Sequence, residues 1–122
     1  MLTYPEGTIK ISDFDCASEI EEQVKYSGSP AFQPPEVANS EEQIDSTKID
    51  IWAAGIVLFF LTTCEYPFSE NTSNLVEMLD NVSKAKYQIP PHIDPVVSDL
   101  IRNILQKDFK SRFTIEQIKK HL

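Results

Sequence analysis

Fourteen consecutive residues, Ile51 to Cys64, carry no charge, and no other uncharged run in the chain is as long. Apolar side chains fall on every side of a helical wheel drawn through the run. A helix that is apolar all round either sits in a protein core or spans a membrane. A span needs roughly 18 apolar residues; this run is shorter and is bounded by Asp50 and Glu65. The pattern predicts a buried central helix with Asp50 near its N-terminus, where unpaired backbone N–H groups favour a carboxylate. A buried strand is the alternative, and the length argues against it. The rest of the chain is expected to pack round this helix.

At 122 residues the chain is one domain or a piece of one, and its 41% apolar content can support a core. The net charge of −8 and pI near 4.6 argue against nucleic acid or an anionic membrane as the main partner. Cys16 and Cys64 are far apart and form no CxxC pair. With no signal peptide visible, they are expected to be reduced thiols in the cytoplasm or nucleus. His92 and His121 stand alone and read as surface histidines, because a metal site needs several converging ligands.

Leu2-Thr3-Tyr4 and Thr8 to Ser12 are β-prone and alternate, with Pro5-Glu6-Gly7 as turn chemistry between them. They predict a hairpin, which is not stable without something to lie on. Asp13-Phe14-Asp15 follows directly. A carboxylate at a strand end beside an apolar anchor can hold Mg²⁺, although a strand running into an acidic loop is commonplace. Cys16 to Ser29 reads as an exposed acidic loop. In Gly28 to Glu36, three prolines and a glycine fix an irregular but rigid path. It suits a platform for an extended peptide, or a plain connector.

Glu36 to Asn39 suggests a short helix, and Ser40 to Lys48 a polar connector. Pro67 is expected to end the central helix. Asn71 to Ser73 offer caps for a helix from about Asn74 to Lys84, with Leu75, Met78, Leu79 and Val82 on one face. A further helix over Pro95 to Gln106 has Val96, Val97, Leu100, Ile101, Ile104 and Leu105 as its buried stripe. Thr114 and Gln117 form a capping box for a last helix, with Ile115 and Ile118 inward.

Each motif is weak alone; the order and spacing are not. Asp-Phe-Asp after a strand is followed by a polar loop, then Gly-Ser-Pro-Ala-Phe-Gln-Pro-Pro-Glu. Next come Asp-Ile-Trp-Ala-Ala-Gly opening an apolar helix, Tyr-Pro-Phe, and an arginine before a capped last helix. Over essentially its whole length, residues 1–122, the chain resembles the C-terminal half of a eukaryotic serine/threonine protein kinase domain. Gly28 to Glu36 and Ile49 to Gly55 look most like the kinase that activates AMP-activated protein kinase. The resemblance implies a mainly α fold, a partial C-lobe built round a buried central helix with a short N-terminal β-hairpin.

The resemblance also implies residue roles. Asp13 matches the Mg²⁺-holding aspartate of the DFG motif, and Phe14 the apolar residue that reports the active state. Gly28, Ser29 and Pro30 match the loop that docks the peptide substrate. Glu36 matches the glutamate of the APE motif and would pair with Arg112, a structural tie. Asp50 matches the aspartate that braces the catalytic-loop backbone. Asp15 stands where the family has glycine, which permits backbone angles that most residues avoid.

The Gly-rich loop, its lysine partner and the catalytic loop with its aspartate find no counterpart, so no catalytic residue is assigned. ATP and Mg²⁺ belong to the complete kinase, and this chain alone is expected not to bind them. It is expected to be inactive by itself, with apolar surface exposed at Trp52, Val57 or Phe59. Its partner is a protein substrate, with a regulatory or scaffold protein as a second partner. The competing function is a non-catalytic binding module that docks partners through the substrate groove and the helix bearing Met78.

Overall fold

A computed structural model describes residues 2–3, 7–19, 28–40, 44–68 and 74–121, the first two by their backbone. The architecture is mainly α. A hairpin of β1 (Leu2–Thr3) and β2 (Ile9–Lys10) precedes five helices: α1 (Pro35–Ala38), α2 (Ser46–Thr63), α3 (Leu75–Lys84), α4 (Pro95–Ile104) and α5 (Ile115–His121). The strands are antiparallel, Leu2 opposite Lys10 and Thr3 opposite Ile9. β2 is shorter than the sequence pattern suggests, and Tyr4, Pro5 and Glu6 lie outside the described residues. Gly7 closes the turn at φ +77°, a left-handed angle that suits glycine. Ile9, Ile11 and Phe14, in and just after β2, are 61%, 79% and 67% exposed.

The centre is α2, which starts five residues before the apolar run. Its N-cap is Asp45, not Asp50: the Asp45 carboxylate accepts from the Thr47 N–H at 3.0 Å and the Thr47 hydroxyl at 2.6 Å. The hydroxyl bond holds the Asp45 carboxyl below its ordinary range, with Lys48 adding a smaller pull. Asp50 therefore lies in the second turn, exposed, with no capping role. At 18 residues the helix is long and apolar enough to cross a membrane by length and composition. It packs as a core helix along one stripe: Trp52, Gly55, Ile56 and Phe59, 22% of its length, are buried, and α4 lies against it. A Cβ on Gly55 would fall 2.4 Å from Ile104 Cγ2 and 2.8 Å from Leu105 Cδ2, so glycine sets that close approach.

The exposed apolar residues of α2 are not the expected ones. Trp52 and Phe59 are 0% and 3% exposed. The chain's own loops fold back over them: Phe68 stacks on Trp52 with ring centroids 5.4 Å apart, and Tyr87 meets Phe59 edge-on at 6.1 Å. Val57 is half-buried, while Phe60 and Leu61 on another side are 39% and 66% exposed.

The helix ends with the uncharged run, three residues before Pro67, and its cap is Cys64. It adopts a left-handed φ of 60° and sends its N–H to the Phe60 carbonyl at 2.8 Å. A side-chain-bearing residue in that region is strained by about 1–2 kcal/mol. Because Cys64 is exposed, Cys64→Gly should remove this strain without opening a cavity. We expect a stability gain of about 1 kcal/mol, read as a higher urea midpoint at unchanged slope. A neutral or lower midpoint would refute it.

Asn74 caps α3 by accepting from the Val76 N–H at 3.0 Å; Asn71 to Ser73 lie outside the described residues. Val82 is buried against the core and Met78 and Leu79 are half-buried, but Leu75 in the first turn is 54% exposed. In α4, Asp94 caps Val96 and Val97, and Pro95 occupies the first turn, where its missing N–H costs nothing. Val97, Leu100, Ile101 and Ile104 follow the i, i+3, i+4, i+7 template and face inward. Val96 falls outside that template and is 55% exposed. The helix stops at Ile104, where Leu105 leaves helical geometry but stays buried at 2% exposure.

The capping box of α5 forms: the Thr114 N–H donates to Gln117 Oε1 at 2.8 Å, and the Gln117 N–H to Thr114 Oγ1 at 3.3 Å. The inward side carries Ile118 and His121, so Ile115 is 47% exposed. His121 is half-buried rather than free in solvent. Its Nε2 lies 2.8 Å from Asp99 Oδ2 and its ring meets Phe113.

Candidate functional site

Ser29 is extended (φ −63°, ψ 137°), and a 3-10 turn over Pro30–Phe32 follows it. The Phe32 and Gln33 N–H groups donate to the Ser29 and Pro30 carbonyls at 3.0 and 3.2 Å. Pro30 fixes φ where the turn begins, so little conformational freedom remains to be lost. Gly28, Ser29 and Pro30 are exposed, while Pro34, Pro35 and Glu36 are buried. The segment is thus a rigid ledge, open at its start and anchored at its end. Phe32 meets Tyr66 edge-on at 6.0 Å, and Phe60 lies 4.8 Å from Tyr66, so aromatic rings flank the ledge on the α2 side.

The anchor is an ion pair. Arg112 donates through Nη1 to Glu36 Oε1 at 2.8 Å and through Nη2 to Glu36 Oε2 at 3.0 Å. Both side chains are 0% exposed. The same two nitrogens reach the Lys48 carbonyl at 2.7 Å and the Gln106 carbonyl at 3.0 Å. Lys48 returns a bond from Nζ to the Arg112 carbonyl. The guanidinium lies over the Trp52 ring at 4.9 Å, where the π face favours a cation. A buried pair is tolerated when geometry and further hydrogen bonds offset desolvation, and here the fork is bidentate and both ends are tied down.

The acidic segment is placed differently. Asp13 has a φ of 66°, and Asp13, Phe14 and Asp15 are all exposed. The Ala17 N–H closes a turn onto the Phe14 carbonyl at 3.0 Å. Asp15, standing in the glycine position of the resemblance, is not in the left-handed region; Asp13 is. Aspartate tolerates that angle better than most residues. Among the described residues no group of three or more His, Cys, Asp or Glu side chains converges to hold a metal.

Of the residues singled out in the sequence, the structure brings Glu36 and Arg112 together at the buried end of the segment that Gly28, Ser29 and Pro30 open. It leaves Asp13, Phe14 and Asp50 exposed. The participation of Lys48, Trp52 and Gln106 in the anchor had no local sequence signal. Lys48 and Arg112 are 64 positions apart, and Gln106 contributes only its backbone.

Comparison with known proteins fits this arrangement. The protein kinase domain family matches residues 1–122. The serine/threonine-protein kinase stk11 of Xenopus laevis is 39% identical over 127 residues, a match covering 99% of this chain and 29% of that protein. STK11 of Homo sapiens is 40% identical over 121 residues, covering 94% of this chain and 28% of that protein. The SNF-related serine/threonine-protein kinase of Homo sapiens is 34% identical over 119 residues, covering 95% and 15%. The chain thus spans under a third of the length of these relatives, and its five helices and short hairpin are those of a partial kinase C-lobe. By this match along its whole length, the chain belongs to the protein kinase domain family.

Proposed function

We propose that the chain is the substrate-docking segment of a serine/threonine protein kinase, which transfers the γ-phosphate of ATP to serine or threonine hydroxyls of protein substrates. The observation that carries this reading is the exposed ledge of Gly28, Ser29 and Pro30 held by the buried Glu36–Arg112 pair. Phosphoryl transfer is mostly positioning and charge neutralisation. A ledge of fixed backbone supplies positioning, because an extended peptide laid along it loses little freedom to the protein's own motion. In this reading the Ser29 hydroxyl faces the reacting groups, Phe14 packs according to the active state, and Asp50 braces a catalytic loop contributed by other residues. The identity to STK11 proteins at 39% and 40% supports placing the chain beside them.

ATP·Mg²⁺ supplies the transferred phosphoryl group. Asp13 is the candidate Mg²⁺ ligand, but with no converging donor group among the described residues the donors present do not fit a complete nucleotide site. The reading therefore gives the isolated chain no turnover and gives the full-length protein the activity. The test is phosphorylation of a serine-containing peptide by the full-length polypeptide carrying this segment, beside Asp13→Ala and the 122-residue chain alone. Asp13→Ala should lower kcat by about 10²-fold or more while peptide affinity holds. No peptide phosphorylation by the full-length protein, or turnover by the isolated chain, would overturn the reading.

A further inference from the structure

We propose that Lys48 is a positioning residue that sets the Arg112 guanidinium for Glu36 and so holds the substrate-docking ledge in register. The inference rests on the docking role given to that ledge under Proposed function.

Lys48 occupies a costly place. It is the third residue of α2, in the first turn, where the helix end carries partial positive charge and disfavours a cation. Its stem is half-buried, and its own carbonyl already faces a second cation, since Arg112 Nη1 donates to it at 2.7 Å. What offsets this is the return bond from Lys48 Nζ to the Arg112 carbonyl. The two residues thus close a ring in which each grips the other's backbone with its side chain. Neither can shift without losing both bonds. Arg112 Nη1 is shared between Lys48 O and Glu36 Oε1, at 2.7 and 2.8 Å. The position of the Lys48 backbone therefore helps fix where the guanidinium meets the carboxylate. Arg112 Nε is buried and has no hydrogen-bond partner among the described residues. Its backbone N–H makes a long bond of 3.3 Å to the Phe109 carbonyl. The Phe113 N–H, in the same peptide unit as the Arg112 carbonyl, donates to the Asn103 carbonyl at 3.0 Å. The Lys48 ammonium holds the carbonyl side of that unit and, through Arg112, links the start of α2 to the end of the ledge.

Lys48→Met keeps most of the stem and removes the charge and the donor; Lys48→Arg keeps both. Amide hydrogen exchange in the full chain reads the effect without any assay of activity. In Lys48→Met, the Val37, Ala38 and Asn39 amides, which donate to Pro34 and Pro35, should exchange about tenfold faster. The Ser98 amide in α4 and the Leu105 amide at its C-cap should not change, and Lys48→Arg should restore the slow rates. A uniform rise across both sets, or no rise at the first set, overturns the proposal. In the full-length kinase, Lys48→Met should raise the peptide KM about threefold or more with kcat within about twofold, and Lys48→Arg should recover it. If the amides respond as stated but KM does not move, the positioning of Arg112 stands and the docking role of the ledge falls.

Discussion

Glu36→Ala is expected to cost about 3–5 kcal/mol, the range for removing one partner of a fully buried ion pair. Both side chains are 0% exposed, so water cannot enter to replace the lost carboxylate without opening the core. A domain of this size is stable by only about 5–15 kcal/mol, and the variant should be close to unfolding at 25 °C. The comparison that isolates the mechanism is the double variant Glu36→Leu with Arg112→Met. It removes both charges together and should recover much of the loss. Recovery should be incomplete, because Arg112 also satisfies the carbonyls of Lys48 and Gln106, and each buried carbonyl left unpaired costs about 1–3 kcal/mol. Urea unfolding of the three proteins at equal slope gives the ordering wild type, double variant, Glu36→Ala. A Glu36→Ala protein within about 1 kcal/mol of wild type would mean that the pair is solvated in solution.

What could be read in the sequence divides along a physical line. The helices were legible because amphipathic spacing and caps are local. Asn74, Thr114 with Gln117, and the stripe from Val97 to Ile104 all announce themselves within a turn or two of chain. The start of α2 was misplaced because two aspartates, Asp45 and Asp50, compete for the cap. Only the first is followed by a Thr whose N–H and hydroxyl both reach it. Its end falls where the uncharged run stops, although the left-handed Cys64 makes the cap without the glycine that usually marks one. The covered side of α2 could not be read at all. A helix apolar all round carries no directional signal, and the choice is made by Phe68 and Tyr87 from other parts of the chain. The site shows the same division. Glu36 and Arg112 lie 76 positions apart, so no periodicity joins them, and only resemblance to a family suggested the pair. Lys48 was passed over because a lone lysine in a polar connector looks like any solvated charge until the fold turns its ammonium onto a carbonyl.

Trp52→Ala should be as damaging as the loss of Glu36, by a different route. Trp52 is 0% exposed and is the only tryptophan. Its ring is stacked on Phe68 on one side, at 5.4 Å and 6° from parallel, and carries the Arg112 guanidinium at 4.9 Å. Truncation leaves a large cavity between α2, the Tyr66–Phe68 turn and the ion pair, and we expect a loss of about 3–5 kcal/mol. Trp52→Phe separates the contributions. It keeps a ring between Phe68 and the guanidinium and gives up part of the volume. It also removes an indole N–H that is buried with no acceptor among the described residues, and an unpaired buried donor is itself a cost. Trp52→Phe should therefore lose only about 1–2 kcal/mol. Far-UV circular dichroism is the readout, because both variants lack the fluorophore. The stack predicts one thing more. In a double-mutant cycle with Phe68→Ala, the losses should fall short of additive by about 0.5–1.5 kcal/mol. Additive losses would mean that Trp52 is held by the helix alone, and that the Tyr66–Phe68 turn does not close over it. The Glu36–Arg112 pair would then keep only the Trp52 face, without the Phe68 ring stacked behind it.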